Sequence, residues 1–130
     1  MMEHIELLFR WILGLQLAFW GLNGFFHWRP VSPSAKPIND FTEACIKSKF
    51  IMPTVKSFEV IFGIFLVAGF CTPLSLVALA PIIFVISGLH LFHNARPWPV
   101  ITAITMPFLA LVILNYENWR MFFQFTKYNL

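Results

Sequence analysis

Long apolar runs alternate with short polar stretches along the chain, and four runs stand out, at about 5–26, 53–70, 74–92 and 100–116. Each holds roughly 17–22 residues, the length at which an α-helix crosses about 30 Å of hydrocarbon. No run alternates apolar and polar residues as a strand would, and a backbone in lipid must hydrogen-bond to itself, so helices are predicted. The fold class that follows is all-α: an integral membrane four-helix bundle, with residues 1–130 forming one domain. Pro53 and Pro99 fall at predicted helix starts, where a missing N–H is harmless. Pro73 lies in a tight turn, while Pro81 and Pro107 fall inside spans and predict kinks.

The connections are unequal. The first, Arg29 to Met52, opens with proline-rich extended chain and continues as Asn39-Asp40-Phe41-Thr42-Glu43, a helix-start pattern. Glu43 and Lys47 are spaced i,i+4, with Phe41, Ala44, Cys45 and Ser48 on the other side. A short amphipathic helix over one end of the bundle is therefore expected. Beyond the fourth run, Arg120, Gln124 and Lys127 share one helical face and Trp119, Phe122 and Phe123 another, which predicts an interfacial C-terminal helix.

Composition strengthens this picture. Hydrophobic residues make up 58% and charged residues only 12%, against the roughly 25% charge of a soluble surface. The mean hydropathy is +0.74. The 16 Phe and 5 Trp suit lipid–water boundaries. The net charge of +3 forms no basic patch with a nucleic-acid motif, which excludes nucleic acid as a partner and leaves the lipid bilayer. The acidic start, Met1-Met2-Glu3-His4-Ile5-Glu6, lacks the basic n-region of a cleavable signal, so the first helix is expected to be retained. Arg29, Lys36, Lys47, Lys49, Lys56 and Arg96 border one side, against Arg10, Arg120 and Lys127 on the other, so the positive-inside rule places the long loop in the cytoplasm of a bacterial-type cell membrane. Cys45 and Cys71 fall at opposite membrane faces, too far apart for a disulfide.

Polar residues inside spans carry the candidate chemistry, because each is costly to insert. With helices alternating in direction, the end of the first, the start of the second, the end of the third and the start of the fourth share one membrane face. That brings Asn23, His27, Glu59 and His90 together as a candidate buried polar site, with His93 and Arg96 at its periphery. A His–Glu pair beside an apolar cavity can move protons to and from a quinone. A metal or haem fits less well, since the ligand set is thin, and no metal ligand is assigned. The structural alternative for Glu59 is a salt bridge with Lys56 or Arg29, and for His93 an interfacial position. Arg10 is expected to snorkel to headgroups. Gly14, Gly21, Gly24, Gly63 and Gly69 are expected to let helices approach closely.

The ordered set Arg10-Trp11-Ile12-Leu13-Gly14, Phe19-Trp20-Gly21-Leu22-Asn23-Gly24, Glu59 through Gly69 with Thr72-Pro73, and Leu79-Ala80-Pro81-Ile82 with His90 resembles the DoxX-like family of small four-helix membrane proteins. The resemblance runs over most of the chain. It implies a membrane fold and a link to redox chemistry, because the family takes its name from the membrane subunit of an archaeal thiosulfate:quinone oxidoreductase. Bacterial relatives are tied to membrane redox and thiol stress, and a eukaryotic branch to receptor assembly. Where family patterns often carry a basic residue after the first-helix glycines, this chain has Phe25-Phe26-His27-Trp28. The function expected is an accessory or quinone-interacting subunit of a membrane redox system, with a membrane or soluble redox partner and a homo-oligomer as further partners. The alternative is a non-enzymatic scaffold or chaperone for other membrane proteins, and a third reading is a proton-coupled transporter completed by a second copy.

Overall fold

The structure is a computed structural model, and it describes residues 2–30 and 34–120. Those residues are mostly helical and contain no strand. Helix α1 spans Met2–Phe26, α2 Lys36–Lys47, α3 Ile51–Ala68 and α4 Thr72–His93; α5 (Trp98–Val100) runs through a π-helical stretch, Ile101–Thr105, into α6 (Met106–Leu114). Helices α1, α3 and α4 are long and apolar enough to cross a membrane, whereas Trp98–Leu114 is shorter. All four predicted runs are thus helical, with ends displaced by about two residues, as helix termini commonly are.

The helices close into a ring. Helix α3 packs on both α1 and α4, and the final helix completes the circuit against α4 and α1. Leu13, Leu17, Leu66, Leu76, Leu79, Ile83 and Leu111 form the shared core, flanked by Phe9, Phe62, Phe108 and Trp119. Outward, Phe84 is 78% exposed and Ile113 69%. Rings and branched chains so placed face hydrocarbon, not water.

The α1–α3 contact is the closest. A Cβ on Gly14 would lie 2.6 Å from the Gly63 carbonyl oxygen, and one on Gly63 would lie 2.9 Å from the Gly14 oxygen. Further along, Gly21 faces Val60, and Gly24 lies under the Lys56 side chain. Residue numbers rise on α1 as they fall on α3, so the pair is antiparallel.

Arg10 departs from the sequence expectation. It does not snorkel outward: its Nη1 donates to Leu66 O at 3.2 Å, and Glu6 lies 3.3 Å from its Nε. Trp11 Nε1 donates to Val67 O at 3.1 Å. Both side chains therefore reach carbonyls in the last turn of α3, Arg10 joining Gly69 N as a second donor to Leu66 O. Gly69, at φ 74°, ends that helix in the left-handed region, with Phe70 N donating to Phe65 O at 2.9 Å. The Arg10 guanidinium packs directly on Gly69, so this position needs glycine for space as well as for conformation.

The amphipathic helix in the first loop is present as α2, lying on α3 and α4 with Ile38 and Cys45 buried. It begins earlier than the Asn39 pattern predicts. Pro37 pre-sets the first turn. Asn39 reaches back from inside the helix, its Oδ1 accepting from Ser34 N at 3.1 Å and its Nδ2 donating to Ser34 O at 2.7 Å. After Leu114 the chain turns at Asn115, and residues 116–120 are helical, with Trp119 Nε1 donating to Val112 O at 2.8 Å. The rest of the predicted C-terminal helix, with Phe122, Phe123, Gln124 and Lys127, lies outside the described residues.

Gly14→Ala should lower the thermal midpoint in mild detergent by the equivalent of about 1–3 kcal/mol, the usual range for overpacking. Gly88 has open space at its Cβ, so Gly88→Ala should leave the midpoint unchanged.

Candidate functional site

The candidate residues sit at the end of the bundle where α1 finishes, α3 begins and α4 finishes. Glu59 is buried within a span, at 3% exposure. Its Oε2 lies 3.3 Å from Lys56 Nζ, one helical turn earlier on α3. A Cβ on Gly24 would meet Lys56 Cγ, Cδ and Cε at 2.7–2.9 Å. The bare backbone of α1 thus leaves a track for the lysine stem, and the ammonium reaches the carboxylate within the protein. The structural alternative raised for Glu59, a bridge with Lys56, is present.

Asn23 is buried too, but its amide faces the chain's own backbone. Oδ1 accepts from Arg29 N at 2.7 Å, and Nδ2 donates to Arg29 O at 3.0 Å. Asn23 O also accepts from His27 N at 2.8 Å, and His27 adopts φ 54°, ending α1 in the left-handed region. Asn23 therefore clamps the reversal that follows the first span, and the His27 side chain is exposed beside it.

His90 is half-buried near the end of α4. Its Nδ1 lies 2.9 Å from Asn94 Nδ2, while Asn94 Oδ1 accepts from Arg96 N at 3.0 Å. That second bond fixes the amide orientation, so Asn94 donates and His90 Nδ1 accepts. The neutral ring then carries its hydrogen on Nε2, which has no partner among the described residues. His93 and Arg96 are exposed at the rim. No hydrogen bond or ion pair among the described residues joins Glu59, Asn23 and His90 to one another. They share an end of the bundle but belong to three local networks. Nor, among the described residues, do three His, Cys, Asp or Glu side chains gather there as metal ligands would.

A second polar layer lies deeper. Gln16 Nε2 donates to Ala103 O at 2.8 Å, across from α1 to the last helix. Pro107, four residues after Ala103, has no N–H to offer that carbonyl, and its ring would crowd it. The backbone accommodates this with the π-helical stretch, in which Met106 N donates to Ile101 O. Beside it Ser87 and Thr105 hydroxyls meet at 2.6 Å. The predicted kink at Pro107 is thus a change of helical winding with a side chain from another helix filling the gap. The sequence reading did not pair Gln16 with this carbonyl; the proline four residues on was the available signal.

These features define a small helical protein built for a bilayer, with its ionisable groups at the two ends of the bundle and the Lys56–Glu59 pair buried at one of them. The family model for DoxX matches residues 5–94, which is α1 through the end of α4, and the chain belongs to the DoxX family. Comparisons with curated proteins and with solved structures return no match.

Lys56→Met should destabilise the protein by roughly 3–5 kcal/mol, because it strands a buried carboxylate. The double variant Lys56→Met/Glu59→Gln should recover most of that loss. A double-mutant cycle of thermal midpoints measures the coupling; additive losses would mean that the two groups stand independently.

Proposed function

We propose that this DoxX-family protein is a multi-pass accessory subunit of a membrane redox system and meets a quinone headgroup at the polar end of its bundle. The observation that carries this reading is Glu59, a carboxylate buried inside an apolar span with Lys56 as its ion-pair partner. Ionisable groups at such depth are expensive and are characteristic of proton and ligand pathways. A quinone carbonyl is an acceptor, and Lys56 Nζ and His90 Nε2–H are donors of matching chemistry. Reduction to the quinol takes two electrons and two protons. The electrons come from a partner redox protein, and Glu59 and His90 are groups able to relay protons. Asn23 holds the adjacent turn, and His27, His93 and Arg96 line the rim. The family's tie to a quinone oxidoreductase supports the same assignment.

One observation favours a second reading, a scaffold for other membrane proteins. Gln16, Asn23, Glu59, Ser75, Ser87 and Asn115 each find a partner within the chain, as purely structural groups would. The two readings separate in one experiment. Purified protein in nanodiscs is titrated with decylubiquinone, using quenching of tryptophan fluorescence as the readout. His90→Ala should weaken binding about tenfold, the loss of one strong hydrogen bond, and Glu59→Gln should weaken it by removing the anchor that holds the Lys56 donor in place. Unchanged binding in both variants rejects the site, and no binding to the unaltered protein, with a stable protein partner retained in native mass spectrometry, favours the scaffold.

A further inference from the structure

Ion pairs neutralise several of the cations near the long loop. Lys36 pairs with Asp40, Lys47 with Glu43 and Lys56 with Glu59. Arg29, Lys49 and Arg96 have no acidic partner among the described residues, and all three are exposed. They stand at the end of α1, the start of α3 and the end of α4, which is one end of the bundle. At the opposite end Arg10 is consumed by Glu6 and the Leu66 carbonyl, which leaves Arg120 as the exposed Lys or Arg side chain there among the described residues.

Each of these three cations is presented in the same way. A hydrogen bond fixes its backbone: Arg29 by the Asn23 amide, Lys49 by its own N–H to Ile46 O at 3.1 Å, and Arg96 by Asn94 Oδ1. Each also has an exposed aromatic within two residues: Trp28 (57% exposed), Phe50 (67%) and Trp98 (67%). A ring at headgroup depth beside a free cation is the combination that suits a phosphodiester above hydrocarbon. Asn23 gives this weight, since a buried amide commits both of its polar groups to holding Arg29 in place.

We infer that Arg29–Trp28, Lys49–Phe50 and Arg96–Trp98 form a rim that binds anionic phospholipid headgroups, so that this end of the bundle faces the more anionic leaflet. The rim uses none of the buried pair and shares only Arg96 with the proposed quinone site. Its strength is electrostatic, each cation contributing roughly fivefold in partition at low salt and less as the Debye length shrinks.

The test is native mass spectrometry of protein extracted from nanodiscs of equal phosphatidylglycerol and phosphatidylcholine, scored as the ratio of retained lipids. The unaltered protein should retain phosphatidylglycerol preferentially, and the preference should fall as salt rises. Arg29→Gln/Lys49→Asn/Arg96→Gln should reduce that ratio by at least about tenfold. Asn suits position 49, which has φ 70°. The single variants Arg29→Gln and Arg96→Gln, each confirmed as folded by its thermal midpoint, should each give a partial loss. An unchanged ratio in folded variants overturns the proposal. Equal loss of the retained lipid when inorganic phosphate is added at matched ionic strength also overturns it, by making the rim a site for free phosphate.

Discussion

The backbone-to-backbone contact between Gly14 and Gly63 sets the geometry on which the other features depend. Lipid tails are as apolar as leucine, so helices gain little from hiding apolar surface from one another, and close packing must supply the attraction. Two glycines facing each other bring α1 and α3 nearer than any side chain allows. The antiparallel register then fixes what lies on either side. Towards the N-terminus of α1, Arg10 and Trp11 come level with the last turn of α3 and cap it. Towards its C-terminus, Gly24 comes level with Lys56 and gives its stem a path to Glu59.

The same constraint, that no backbone group in lipid goes unpaired, explains polar side chains that serve no chemistry. Gln16 supplies the hydrogen bond that Pro107 withholds from Ala103 O. Asn115 Nδ2 donates to Leu111 O at 2.8 Å where the last helix ends. Ser75 N and Oγ both donate to Cys71 O in the turn before α4, at 3.0 and 3.1 Å. Polarity inside these helices largely serves the backbone, replacing a lost donor at Ala103 O and adding a second one to Leu111 O and Cys71 O, each of which also accepts a backbone N–H.

This division governs what was legible in the sequence. Apolar run length alone identified the helices, because hydrocarbon thickness leaves few other solutions. The Lys56–Glu59 pair was legible as an alternative, since i,i+3 spacing on a helix is a local relation. The roles of Arg10, Gln16 and Asn23 were not, for three different reasons. Arg10 depends on the register of two helices, which glycine positions suggest but do not fix. Gln16 depends on which neighbour the final helix lies beside. Asn23 was read as facing the bundle, but a left-handed residue at His27 turns the chain back over it. The grouping of Glu59 with His90 rested on topology, which places helix ends at one membrane face but does not bring side chains into contact.

The two ends of the bundle use charge differently. At the α3 C-terminus, Arg10 is enclosed by Glu6, Leu66 O and Gly69, with its side chain 14% exposed, and its charge is spent on the fold. At the other end the Lys56–Glu59 pair is enclosed but caps no helix. Three further cations stand free around it on turns fixed by hydrogen bonds. A fold that needed charge only to close its helices would have no use for this surplus. Its position beside the buried Lys56–Glu59 pair is what the proposed quinone and headgroup sites both rest on.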